Sequence, residues 1–128
     1  MNTTTFDTEK VEMIHAEAIS AAKSAIREFL DDWNANTGGN QYGEPLYCGF
    51  AWVNVYPEHK GNTRLGKVER SLLKAMGFRK DWTGKAYELW NPSGYAGQSM
   101  DVKEAGARAY ANVLKAHGFK AYMGSRAD

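Results

Sequence analysis

Gly61-Asn62-Thr63-Arg64-Leu65-Gly66-Lys67 has the GxxxxGK spacing with which a glycine loop and a lysine cradle phosphates. The next residue breaks the pattern. Val68 stands where a Ser or Thr hydroxyl would hold Mg²⁺, and Pro57-Glu58-His59-Lys60 separates Gly61 from the strand before it. No acidic strand end supplies the second carboxylate of a nucleotide-hydrolysing site. What survives is a helix N-terminus beside Arg64 and Lys67, whose free N–H groups and dipole favour an anion. The competing reading is a solvated basic ridge, because Arg64, Lys67, Arg70 and Lys74 recur at helical spacing.

A second set of residues suits a base rather than a phosphate. Trp52, Asn54, Trp82, Trp90, Asn91 and Gln98 fall near glycine-containing loops. Indole faces stack on bases, and side-chain amides read base edges or ribose. Arginines such as Arg108 and Arg126 grip phosphates bidentately. Each tryptophan also fits a core or a protein interface, and Arg108 has a rival partner in Glu104 at i,i+4. Other chemistries have less support. His15, His59 and His117 lie far apart with no ligand spacing, so neither a metal nor another cofactor is expected. There is no nucleophile elbow, and Asp31-Asp32 sits at a helix end as a solvated pair. No catalytic residue is assigned, and the chain reads more readily as a binder than as an enzyme.

The composition is that of a soluble globular protein. The 128 residues make one domain, 1–128, and the formal charge of +1 exerts no global pull toward nucleic acid or membrane. The lone Cys48 lies in an apolar run, where it reads as a small buried hydrophobe, and it suits a reducing cytoplasm. The N-terminus has no apolar leader segment, and no run approaches the roughly 18 apolar residues of a membrane span. A cytoplasmic protein is expected. Four Trp and seven Tyr point to a large core, an oligomer interface or stacking surfaces.

These residues need elements to position them. A long helix is expected over 8–35, capped by Asp7 or Thr8, with Val11, Ile14, Ala18, Ala22, Ile26, Phe29 and Trp33 inward and Gly38-Gly39 at its end. Its Ala/Ser-rich middle admits close packing. A helix this long either spans the whole sheet or offers part of its face to an oligomer contact. Residues 37–46 read as a glycine-rich connector. A strand over 47–56 carries Cys48, Phe50, Trp52, Asn54 and Tyr56 on one face and small aliphatic residues on the other. A second helix, 64–76, is capped by Thr63 or Asn62, with Leu65, Val68, Leu72 and Met76 as its buried stripe and Gly77 as its left-handed end. A hairpin turns at Asp81-Trp82-Thr83-Gly84 and continues as a strand from Ala86 to Trp90. A third helix starts at an acidic capping box, Asp101 to Glu104, with Val102, Ala105, Ala109, Val113 and Leu114 inward. A final strand runs from Lys120 to Ser125, and Arg126 beyond it could reach a neighbouring subunit. The result is an α+β fold: about four largely antiparallel strands, three helices on one face, and the other face open.

Cys48-Gly-Phe-Ala-Trp-Val, Trp90-Asn-Pro-Ser-Gly, Gln98-Ser-Met-Asp and the closing Ser125-Arg126 resemble segments of small proteins encoded by tailed bacteriophages. Within that group the chain is similar to the Thoeris anti-defence sponge proteins, over residues 47–128. The resemblance implies a non-enzymatic homo-oligomer in the cytoplasm of an infected cell. It would sequester cyclic ADP-ribose isomers or, in some members, cyclic oligonucleotides in pockets between subunits. Two alternatives stay open: an inhibitor that meets a host defence protein or nucleic acid through an aromatic and basic face, and a small nucleotide-cleaving enzyme.

Overall fold

The computed structural model describes residues 8–37 and 47–128. Seven elements follow in order: α1 (Thr8–Thr37), β1 (Gly49–Val55), α2 (Arg64–Ala75), β2 (Arg79–Lys80), β3 (Tyr87–Trp90), α3 (Met100–Ala116) and β4 (Ala121–Ala127). The strands form one antiparallel sheet in the order β2-β3-β1-β4, so the fold is α+β as expected. After α1 the connectivity is β-α-β-β-α-β, with β3 and β1 in the middle of the sheet, the split β-α-β pattern. Asp7 and residues 38–46, which include Gly38-Gly39 and most of the expected glycine connector, lie outside the described residues.

β1 divides the molecule into two layers. Ala51, Val53 and Val55 are buried, while the residues between them are only half-buried. The aliphatic side meets Leu89 and Tyr87 of β3 and Met123 and Ala121 of β4 in register. α3 lies across β1 and β4 on this side, and α1 packs along α3. Cys48 is exposed rather than buried. Strand pairing begins only at Gly49, which leaves Cys48 at the sheet's end as an isolated bridge to Ser99.

The 30 residues of α1 extend about 45 Å. Val11, Ile14, Ala18 and Ala22 are buried, and Ile26, Phe29 and Trp33 are half-buried. Gly106 of α3 brings this helix close, since a Cβ there would stand 3.1 Å from Ile26 Cγ2 and 2.8 Å from Ser93 Cβ. The buried face of α3 differs from the expected one. Val102 and Leu114 are buried as anticipated, but Ala105, Ala109 and Val113 are half-buried, and Lys103, Gly106, Ala107, Tyr110 and Ala111 take their places. A helix held between a sheet and another helix buries a wider arc, centred differently from a single stripe. Lys103 sits in that arc by donating from Nζ to the Gly49 carbonyl at 3.0 Å, with Phe50's ring centroid 5.4 Å away. Tyr110 places its hydroxyl 2.8 Å from His15 Nδ1. Burial raises the Tyr110 phenol far above its ordinary value and lowers the His15 imidazole.

The start of α3 also moves. Its cap is Ser99, whose hydroxyl accepts from the Val102 N–H at 3.4 Å, rather than the acidic box at Asp101 and Glu104. The Met100 N–H donates to Tyr47 O at 2.7 Å and the Gly49 N–H to Gln98 O at 3.2 Å, which ties this corner to β1 and sets where the helix begins. Glu104 instead accepts the Ser125 hydroxyl at 2.5 Å.

In α2 the expected cap holds: Thr63 Oγ1 accepts from the Gly66 N–H at 3.0 Å and donates to Lys60 O at 2.6 Å. The stripe holds only in part: Met76 is buried as expected, together with Gly66, Glu69 and Leu73, while Leu65 and Leu72 are half-buried and Val68 is exposed. The helix turns this way because the preceding loop is fastened to it. A Cβ on Gly66 would lie 1.8 Å from the Lys60 carbonyl oxygen. The buried Glu69 carboxylate accepts the N–H groups of Glu58 at 2.8 Å and His59 at 3.0 Å. Arg70 Nη1 donates to His59 O and Gly66 O, at 2.8 and 2.9 Å, so it is withdrawn from the basic ridge. Gly77 and Gly118 both take positive φ, 99° and 92°, and pass the chain to buried Phe78 and Phe119. The two corners are alike, as expected.

Glu69→Ala leaves two loop amides without their acceptor. It is expected to cost about 2 kcal/mol or more, read as a lower midpoint in urea unfolding, whereas Glu69→Gln, which keeps one acceptor oxygen, loses less.

Candidate functional site

The side of the sheet that no helix among the described residues covers is built from the even residues of β1. Pairing places Trp90, Trp52 and Gly124 in one cross-strand row, Glu88, Asn54 and Tyr122 in the next, and Phe50 beside Arg126. The indoles of Trp52 and Trp90 stack with centroids 4.8 Å apart and planes 23° from parallel. Phe50 extends the aromatic surface, its centroid 5.7 Å from that of Trp90. Gly124 makes room for the stack. A Cβ there would stand 2.6 Å from Trp52 Nε1, so the indole lies where any other residue's side chain would be.

A concavity of about 330 Å³ opens over this surface. Trp52, Asn54, Tyr56, Glu88 and Trp90 line it from the central strands, Asp81, Trp82 and Thr83 from the β2–β3 turn, and Arg126 from β4. Local bonds shape the turn. Asp81 Oδ1 accepts from Thr83 Oγ1 at 2.7 Å and from the Ala86 N–H at 3.4 Å. Thr83 Oγ1 in turn accepts the Lys85 N–H at 3.1 Å, and Gly84 closes the turn at φ 74°. Burial opposes charge on Asp81, but hydrogen bonds from the Thr83 hydroxyl and from the backbone of Ala86, Gly84 and Thr83 outweigh it and hold the carboxyl below its usual range. The turn leaves the Trp82 side chain 93% exposed at the edge of the concavity.

The charges are divided: carboxylates Asp81 and Glu88 come from the hairpin, and the Arg126 guanidinium comes from β4, 5.7 Å from the Phe50 ring centroid. Such a surface can stack a flat ring on the indoles and accept hydrogen bonds from ring amino groups at the carboxylates and Asn54. It can also grip an anionic substituent at Arg126.

Of the residues singled out in the sequence, Trp52, Asn54, Trp82, Trp90 and Arg126 come together here. Arg64 and Lys67 are exposed on the first turn of α2, outside the concavity. Asn91 has a different role. At φ 45° it donates its N–H to Ala51 O and its Nδ2 to Tyr95 O, each at 2.9 Å, and its Oδ1 accepts from Ser93 Oγ at 3.3 Å. Its amide holds the loop after β3. Gln98 lies at the corner before α3, where its carbonyl accepts the Gly49 N–H. Arg108 is exposed on α3 and forms no ion pair with Glu104. Sequence reasoning missed Asp81, Glu88 and Gly124 as site-builders. Glu88 was available from the two-residue alternation with Trp90, whereas Gly124 acquires meaning only from its register with Trp52.

A larger hollow, about 560 Å³, runs beside His15, Ile19, Lys23 and Arg27. Its walls among the described residues come from α1 alone. Among the described residues no cluster of His, Cys, Asp or Glu is arranged to hold a metal ion, and no helix is long and apolar enough to cross a membrane.

Gly124→Ala is expected to push Trp52 off Trp90 and abolish the exciton couplet of the stacked indoles in circular dichroism, with the helical signal retained. The turn carries a pH dependence of known sign. Because the folded pKa of Asp81 is depressed, its stabilisation is fully present above the unfolded carboxylate value and is lost as pH falls through the lower folded value. The protection of the Ala86 amide, measured relative to its intrinsic exchange rate at each pH, should therefore fall at the acid end of the carboxylate range, and Asp81→Asn should flatten that dependence.

Comparison with protein-family models, curated proteins and solved structures finds no match to this chain, so the concavity is read from its own chemistry.

Proposed function

We propose that this protein binds a base-bearing, phosphorylated small molecule on the open sheet face and holds it intact. A cyclic nucleotide or cyclic ADP-ribose-type signal sequestered during phage infection is the ligand class that this reading favours. The observation that carries it is the Trp52–Trp90 stack on the two central strands, with carboxylates toward the hairpin and a guanidinium toward β4. A base lies against the indoles, its amino edge toward Asp81, Glu88 and Asn54, and its phosphate toward Arg126. Retention rather than turnover fits the lining. The hydroxyl nearest a carboxylate, Thr83, is engaged in the turn through both Asp81 and the Lys85 N–H.

A second reading has one observation in its favour. Aromatic residues on the two central strands of an open four-stranded face are also how such sheets stack the bases of single-stranded nucleic acid.

One experiment separates these readings from an enzyme. The protein is incubated with cyclic ADP-ribose isomers, cyclic dinucleotides and cyclic trinucleotides, separated from unbound ligand and heat-denatured, and the released material is analysed. Recovery of intact ligand after depletion is expected. Trp52→Ala should weaken retention about 10- to 100-fold, the range of one lost base stack, and Arg126→Ala should weaken it for all of these phosphorylated ligands while leaving adenosine, which lacks a phosphate, unaffected. An altered product would mean catalysis. Depletion of none of these ligands, with oligonucleotide binding that falls steeply with salt, would replace the proposal with the nucleic-acid reading.

A further inference from the structure

The two edges of the sheet are unlike. β2 pairs over two residues, Arg79 and Lys80, both exposed and basic, a short charged edge of the kind that resists further pairing. β4 is seven residues long, Ala121–Ala127, and contains no proline, no lysine and no bulge in its register with β1. Its bonding directions follow from its ends. Tyr56 N–H donates to Lys120 O and Asp128 N–H to Cys48 O, so the even residues of β4 turn their polar groups toward β1. The N–H and C=O groups of Ala121, Met123, Ser125 and Ala127 therefore point away from the sheet. Among the described residues they meet no backbone partner. Four outward residues, each with an unpaired donor and acceptor along a seven-residue strand, are a template for another strand.

We infer that a second copy of this chain occupies this edge, β4 against β4 and antiparallel, about a twofold axis at Gly124. The strand is self-complementary in that register. Met123 falls opposite the partner's Ser125 and Ala121 opposite the partner's Ala127, so outward amides meet outward carbonyls along the whole strand in about eight hydrogen bonds. Side chains match as well. On the open face neither Gly124 brings a side chain of its own to the axis, the space above it being taken by Trp52 of the same copy, and Tyr122 lies across from the partner's Arg126. A guanidinium beside a tyrosine ring is attractive, and Tyr122 already has Lys115 Nζ 5.0 Å from its centroid. Any other register moves both glycines off the axis and shortens the ladder. The twofold keeps both open faces on the same side. The two concavities thus share one continuous sheet, and each Arg126 stands at the border between copies. The pairing rests on the free edge of β4 alone and does not depend on the nucleotide reading.

The test uses the full chain without ligand. Light scattering across a dilution series should give about twice 14.2 kDa, and NMR hydrogen exchange should show the Met123 and Ser125 amides protected. Ser125→Pro combined with Ala127→Pro removes outward donors and no bond to β1, because edge strands tolerate proline where the N–H faces away. This variant should be monomeric with its near-ultraviolet circular dichroism preserved. Ser125→Ala, which loses only the hydroxyl bond to Glu104, should remain dimeric. A wild-type mass of 14.2 kDa at every concentration would overturn the inference. So would a dimer whose Met123 and Ser125 amides exchange freely, or a folded double-proline variant that stays dimeric. If that variant does not fold, the exchange measurement on the unaltered protein decides.

Discussion

Everything in this protein hangs on the two-residue alternation of β1. The strand is central, flanked by β3 and β4, so whichever face its aliphatic residues take becomes the core face of its neighbours. Ala51, Val53 and Val55 draw Leu89, Tyr87, Met123 and Ala121 to the side covered by α3. Phe50, Trp52, Asn54 and Tyr56 must then face away. A slip of one residue would drive Trp52 and Asn54 into the helix layer and expose three buried aliphatics, a change no neighbouring strand could absorb. The aromatic surface is thus a direct consequence of how the core is packed.

Small residues occur where layers or side chains need to approach. Gly106 lets α3 meet both α1 and the loop at Ser93, Gly66 lets α2 lie against the Lys60 carbonyl, and Gly124 gives Trp52 a bed across β4. The first two belong to the covered side and serve packing. The third lies on the other side of the sheet, which no helix among the described residues covers, and there it flattens the aromatic surface. A wide aromatic face left bare in this way is uncommon unless something binds there.

Much of this was legible in the chain, and the limits are physical. The strand's two faces, the Thr63 cap, the Gly77 and Gly118 corners and the hairpin turn are local, decided by residues within a few positions of one another. The rotated stripe of α2 is not. Val68 looks inward by hydropathy, but the buried Glu69 carboxylate that bonds the loop amides outweighs it, and no periodicity rule anticipates a core glutamate. Asn91 shows the same limit at the site, since its amide is consumed by the loop it shapes. The meeting of Trp52 with Trp90, and of both with Gly124, depends on long-range register that spacing along the chain does not set.

The brevity of β2 has one more effect. Only two residue pairs tie it to β3, and beyond them the turn bearing Asp81 and Trp82 is held mainly by its own hydrogen bonds. A ladder this short opens at lower free energy than the rest of the sheet and does so without global unfolding. The Trp82-bearing tip can therefore loosen while the Trp52–Trp90 pair stays fixed on the central strands, so the rim and the floor of the concavity move on different timescales.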